Sequence, residues 1–167
     1  MHGIRTTGIL LFALLLWGAS SSALGAEQLH LIVSGKTYHF EDRNFNESNW
    51  GLGLEYQFAR REEWIPFITA TAFLDSNKQW SKYVGGGGRY RFDLGEDGMF
   101  TWFDVGVIGF VMTRKDFRDN DPFVGILPFV SAGNDFVSIN ATYIPRVTPK
   151  SVPLVYVQVM FRLAEFE

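Results

Sequence analysis

The chain has 167 residues, of which 16% are aromatic and none is cysteine, and its formal net charge is −3. This length suits one domain, and the lack of cysteine excludes a disulfide scaffold and a lipidated signal. The acidic balance argues against a nucleic-acid partner, because phosphates require a basic face.

Residues 1–26 have the order of a secretory signal peptide. Arg5 precedes an apolar run over 9–17, and small residues follow over 20–26, as such a signal requires. The run is shorter than the about 20 residues of a transmembrane helix. We therefore expect export and cleavage after residue 23, 25 or 26, leaving a mature domain over 27–167.

Turn residues divide 27–167 into eight stretches of membrane-spanning length. Strands are predicted near 28–40, 49–59, 64–74, 79–92, 99–113, 121–132, 135–145 and 152–163. Short connections at 60–63, 95–98 and 133–134 alternate with polar, mostly longer ones at 41–48, 75–78, 114–120 and 146–151. Because outer-membrane barrels have short periplasmic turns and longer outer loops, this pattern predicts an all-β, eight-stranded antiparallel transmembrane β-barrel. A soluble β-sandwich is the alternative.

The predicted strands show the alternation that lipid imposes. Trp50, Leu52 and Leu54 share one face of strand two, and Glu55 and Gln57 lie on the other, since successive strand residues point to opposite sides. Strands seven and eight alternate in the same way. Strands three and six are apolar on both faces, so their phase stays open.

The inward positions change character along the depth of the barrel. Charged and amide side chains gather near the periplasmic end, and we expect them to pair into a floor: Glu55, Gln57, Arg89, Arg91, Asp104 and Arg162. Glycines and apolar residues gather near the outer end, where an eight-stranded barrel has room for one slim ligand. We predict an acyl-chain pocket there, lined by Gly85, Gly87, Ile108, Phe110 and Met112. Alternatively, the glycines relieve crowding in a filled barrel.

Three residues near the outer rim offer acyl-transfer chemistry. His39 ends strand one, and Asp75 and Ser76 begin the second outer loop; a base, a group that orients it and a hydroxyl form such a set. Strict alternation places His39 on the lipid side with Leu31 and Val33, unless a bulge near Gly35 reverses the phase. The His, Asp and Glu spacings do not match a metal site, so neither a metal nor a cofactor is expected.

Several segments resemble the outer-membrane lipid A palmitoyltransferases (the PagP family). They are AFLDSNKQW (72–80) with the glycine-rich strand after it, LPFVSAGNDFVSINATYIP (127–145) and VYVQVMFRL (155–163). The chain resembles a divergent member, since SGKTYHF (34–40) stands where the family has a tryptophan–histidine pair.

The resemblance implies an eight-stranded barrel that moves a palmitoyl chain from a phospholipid to lipid A. By it, His39 is assigned as general base, Asp75 as its orienting or polarising partner, and Ser76 as nucleophile or oxyanion stabiliser. Gly87 occupies the position that sets acyl-chain length in the family. We further expect a monomer in the outer membrane.

Pro128 and Pro145 fall in predicted strands six and seven, and each removes a ladder donor. A weakened seam there would admit lipid sideways from the outer leaflet; alternatively both prolines sit harmlessly at strand ends. Two other functions stay open: a non-catalytic barrel that binds lipid or stabilises the membrane, and a lipid A deacylase. A deacylase needs a histidine and a serine close together in the last strand, and strand eight has no histidine.

Overall fold

A computed structural model describes residues 25–41, 46–115, 117, 120–146 and 152–167. The predicted signal segment lies outside these ranges apart from residues 25 and 26. The strands are β1 (Glu27–His39), β2 (Ser48–Gln57), β3 (Trp64–Leu74), β4 (Trp80–Asp93), β5 (Trp102–Thr113), β6 (Phe123–Gly133), β7 (Val137–Ile144) and β8 (Leu154–Phe166). All eight predicted strands are confirmed, with ends displaced by at most three residues.

The sheet is a closed barrel. Each strand pairs antiparallel with the next, and β8 pairs with β1, so the sheet closes into a ring without a terminal strand. We call the end with the β1–β2, β3–β4, β5–β6 and β7–β8 connections the loop end. The other end, which carries residues 25 and 167, is the turn end.

The outer surface of the barrel is apolar. Exposed side chains on it include Trp50, Leu52, Ile68, Val84, Val107, Val124, Ile126, Ile139, Phe161 and Leu163. In β3 and β6, whose phase the sequence left open, Phe67 and Phe129 are buried inside while Ile68 and Val130 face outward. Within the described part of the chain, no helix has the length and hydropathy to cross a bilayer.

Ion pairs close the bore towards the turn end. Arg89 is fully buried; it bonds to Glu55 and lies 3.5 Å from Asp104, and Arg91 donates twice to Asp104 at 2.9 Å. Gln57 also donates to Glu55 at 2.9 Å. The predicted charged floor is therefore present. Of the residues predicted for it, Arg162 instead pairs with Glu165 near the turn end.

Aromatic rings occupy much of the bore. The Phe67 and Phe129 rings lie 4.8 and 5.1 Å from the Arg89 guanidinium carbon, close enough for cation–π contact. Nearer the loop end, ring contacts at 5.2–6.3 Å connect Phe73, Tyr83, Phe110 and Tyr156. Strands β7, β8 and β1 contribute buried polar side chains: Ser34, Ser138, Asn140, Thr142 and Gln158. The bore therefore has both aromatic and polar parts.

Candidate active site

An extra residue in β1 exchanges the inward and outward faces of the strand between that residue and the loop end. Ser34 pairs with Gln158 of β8 and Lys36 with the next residue, Val157, so Gly35 is unmatched. Gly35 and Lys36 are both exposed, and Thr37 is buried again. Such a bulge shifts every later side chain to the opposite face. The expectation from strict alternation, that His39 faces lipid, is therefore wrong, and the bulge near Gly35 gives it the inward phase.

The inward phase brings His39 to Ser76. The Nε2 atom of His39 lies 3.2 Å from the Oγ atom of Ser76, although β2 separates β1 from the β3–β4 loop that carries the serine. Both side chains are half-buried at the loop end. An imidazole nitrogen within hydrogen-bond reach of a hydroxyl is the arrangement of a general base beside its proton donor.

Asp75 shapes the loop that presents Ser76. Its carboxylate is 1% exposed, and Oδ1 accepts the backbone N–H groups of residues 77 and 79 at 2.9 and 3.0 Å. Oδ2 accepts the Ser81 hydroxyl at 3.0 Å and lies 3.8 Å from an Arg114 nitrogen. These bonds hold the carboxylate against its own loop rather than against the His39 ring.

The predicted pocket residues form one wall of the bore. Gly85 pairs with Phe110, and Gly87 with Ile108, across β4 and β5; Met112 lies further along the same inward face of β5. A Cβ atom on Gly87 would stand 2.0 Å from the Val107 carbonyl oxygen, and one on Gly85 2.6 Å from that of Gly109. Both glycines therefore permit a close approach of the two backbones. Their role as an acyl-chain pocket remains a prediction.

The β6–β7 ladder is short. It runs from Phe129–Thr142 to Gly133–Ser138 and does not continue towards the loop end, whereas the β7–β8 ladder reaches Ile144. Pro128 is the first β6 residue beyond the ladder, and Pro145 directly follows β7. Pro128 thus lies inside its strand and Pro145 just outside. Among the described residues, β6 and β7 are therefore not paired between the Phe129–Thr142 pair and the loop end.

Sequence reasoning missed residues whose hydrogen bonds or ion pairs connect the elements of this site: Thr37, Asn46, Asn49, Ser81 and Arg114. A signal existed for Asn49, because it precedes Gly51 by two positions and so continues the inward set of β2. Over the described ranges, no group of three His, Asp or Glu side chains is placed to hold a metal ion.

Fold and site together define a membrane-embedded β-barrel with a candidate serine–histidine acyl-transfer centre at one rim. The family model of the antimicrobial peptide resistance and lipid A acylation protein PagP matches residues 26–159. The chain therefore belongs to the PagP family. Membership, with the apolar exterior, makes it an outer-membrane β-barrel.

Named relatives agree with this membership. The lipid A acyltransferase PagP of Bordetella pertussis (strain Tohama I) is 38% identical over 104 residues, which are 62% of this chain and 55% of the relative. That of Laribacter hongkongensis is 30% identical over 138 residues, 77% of this chain and 64% of the relative. The chain thus spans between about half and two thirds of these relatives. A solved structure from the de novo design of transmembrane β-barrels is 12% identical with a TM-score of 0.42, covering 83% of this chain and 96% of that one.

Proposed function

We propose that this barrel transfers a fatty acyl chain, palmitoyl by analogy with the family resemblance, from a phospholipid to lipid A. The observation that carries the proposal is the 3.2 Å contact between His39 Nε2 and Ser76 Oγ at the loop end. Relatives named as lipid A acyltransferases supply the substrate class.

His39 acts as the general base in this proposal. It takes the proton of the attacking hydroxyl, a new ester bond forms at the acyl carbonyl, and the bond to the donor glycerol oxygen breaks. The proton then passes to that oxygen, which leaves as a lysophospholipid. Ser76 serves in one of two ways. As a donor to the carbonyl oxygen, it leaves the lipid A hydroxyl as the attacking group. As the first attacking hydroxyl, it forms an acyl-serine; the lipid A hydroxyl then attacks this ester, the bond to Ser76 Oγ breaks, and the proton of that hydroxyl passes through His39 to Ser76 Oγ.

The geometry favours a structural part for Asp75. Its two carboxylate oxygens fix the turn over 75–79 and accept the Ser81 hydroxyl, so Asp75 sets where Ser76 stands. Arg114, 3.8 Å from the same carboxylate, ties the β5–β6 loop to this turn. The family resemblance implies that Asp75 orients His39; in this proposal Asp75 instead orients Ser76.

The acyl chain would lie against the wall formed by Gly85, Gly87, Ile108, Phe110 and Met112, with the charged floor as its lower limit. The unpaired upper parts of β6 and β7, beside Pro128 and Pro145, would let the lipid enter sideways from the outer leaflet. We further propose that residues 1–26 direct export and are cleaved, that the loop end faces outward, and that the barrel works as a monomer.

The test is reconstitution with vesicle phospholipid and lipid A, read by mass spectrometry of the lipid A. The wild type should add one acyl chain, whereas Ser76→Ala and His39→Ala should add none while remaining folded barrels. Ser138→Ala, at a buried serine of β7 remote from the loop end, is the matched control and should retain activity. Retained acylation in both site variants would remove the site assignment. Unmodified lipid A with the wild type would instead favour a non-catalytic, lipid-binding barrel.

A further inference from the structure

The segment 46–49, at the start of β2, contacts both halves of the candidate site. The backbone N–H of Asn46 donates to the Ser76 carbonyl at 2.9 Å, and its side-chain amide donates to the Asp75 carbonyl at 3.2 Å. On the other side, the Thr37 N–H donates to the Glu47 carbonyl at 2.9 Å. This segment therefore fills the position between the strand of His39 and the loop of Ser76.

Asn49 makes the buried link within this segment. It is 1% exposed, and its Oδ1 accepts the Thr37 hydroxyl, two residues before His39. Its Nδ2 donates to the Leu74 carbonyl at 2.9 Å, two residues before Ser76. One amide side chain thus joins, by its two ends, the Thr37 side chain and the Leu74 backbone, each two residues from a candidate catalytic group.

We propose that Asn49 is a positioning residue that fixes the separation of His39 and Ser76. This inference rests on the proposed acyl transfer and adds to it a residue that touches neither substrate. His39 and Ser76 lie on elements that do not pair directly, so their distance is set through segment 46–49, by the backbone bonds of Asn46 and Glu47 and by the side chain of Asn49. A misplacement of about 1 Å between catalytic groups costs about 100-fold in rate, so this link matters for turnover.

The chemistry of the amide explains why asparagine stands there. The Thr37 hydroxyl requires an acceptor and the Leu74 carbonyl requires a donor, and the asparagine amide offers both at opposite ends of one short side chain. Because a buried polar group without a partner is costly, the link has one stable arrangement. Aspartate at this position would lose the donor, and leucine would lose both bonds.

The experiment compares Asn49→Ala with Asn140→Ala, at a buried asparagine on the inner face of β7. We expect kcat of Asn49→Ala to fall about 10- to 100-fold, with KM for both lipids within about threefold of the wild type. Asn140→Ala should keep kcat within about twofold. The ¹⁵N resonance of His39 Nε2 in micelles should move in Asn49→Ala towards its position in Ser76→Ala, and should stay in Asn140→Ala.

A purely structural role is separated by a second variant. Thr37→Val keeps the shape of the side chain but removes the hydroxyl, so it tests the link even if Asn49→Ala fails to fold. We expect a several-fold loss of kcat, and we expect the His39 ¹⁵N resonance to shift in the same direction as in Asn49→Ala. An unchanged kcat and an unmoved resonance in the folded variants overturn the proposal. If the wild type transfers no acyl chain, the proposed function fails, while the His39 resonance still reports whether Asn49 sets the contact.

Discussion

The ring of Phe110 occupies the space that a side chain on Gly125 would need. The two residues are register partners on β5 and β6, and a Cβ atom at position 125 would stand 2.4 Å from Phe110 Cζ. The absence of a side chain on β6 therefore decides where the aromatic ring of the proposed pocket wall lies.

Gly125→Ala should change the acyl chain that is selected. The added methyl meets the far end of a side chain, so the Phe110 ring must swing, and we expect it to move towards the bore. We expect transfer to shift to chains about two to four carbons shorter, since each buried CH₂ contributes about 0.8 kcal/mol. The measurement is mass spectrometry of lipid A after incubation with phospholipids of mixed chain length.

Gly87→Met should differ from Gly125→Ala in its effect on stability. Its first side-chain atom already meets the Val107 carbonyl at 2.0 Å, so backbone rather than a ring must move, and a loss of stability of about 1–3 kcal/mol is expected with any change in selectivity. An unaltered chain-length profile in folded Gly125→Ala would show that Phe110 does not shape the pocket.

Deleting Gly35 should inactivate the protein without unfolding it. With one residue fewer, β1 would pair with β8 without the bulge at Gly35, and His39 would return to the lipid-facing phase. Gly35→Ala is the control: a Cβ atom there meets no atom within 4 Å, so activity should persist. Lipid A acylation and the heat-dependent gel mobility of the folded barrel measure the two properties. A fully active deletion variant would show that the bulge does not place His39.

Cross-linking β6 to β7 should block entry of the donor lipid. Cysteines at Pro128 and Tyr143 would lie at the next register positions beyond the ladder, and the sequence has no other cysteine. A short, reducible thiol cross-linker should lower acyl transfer from vesicle phospholipid at least tenfold, with recovery on reduction. Cysteines at Val130 and Ala141, which are already paired, give the control. Equal activity in both cross-linked forms would place the entry elsewhere.

The buried ion pairs of the floor should contribute far more to stability than an exposed pair. Arg89→Met leaves Glu55 without its arginine in the bore, and breaking a buried pair in this way costs about 3–5 kcal/mol. Lys36→Met removes a 3.5 Å pair with Glu47, whose side chains are 45% exposed, and should cost about 0–1 kcal/mol. Equilibrium unfolding in urea gives both values. Similar losses of unfolding free energy in the two variants would contradict the proposed contribution of the buried ion pairs to stability.

The strands and their faces could be predicted from the sequence because they depend on local alternation. Trp50 and Leu52 outward, with Glu55 and Gln57 inward, follow from period two alone. The charged floor followed in the same way, since Arg89, Arg91 and Asp104 share that inward phase. The partner of Arg162 was missed because Glu165 lies beyond the predicted end of strand eight.

The site depended on relationships that no single segment carries. His39 faces inward only because β1 has six residues from Ser34 to His39 where β8 has five, from Gln158 to Leu154, and this difference exists only when the two strands pair. The phase of β3 and β6 was open because both faces are apolar, and burial of Phe67 and Phe129 is decided by closure of the ring. The contact between Ser76 and His39 also requires β2 between them.

The floor of paired arginines and carboxylates also bears on permeability. Arg89 and Arg91 balance Glu55 and Asp104, and the Phe67 and Phe129 rings lie against the fully buried Arg89 guanidinium. We therefore expect planar bilayers that contain the folded protein to show no conductance steps. Many copies of such a barrel can reside in a membrane without dissipating its gradients or weakening its resistance to small toxic solutes.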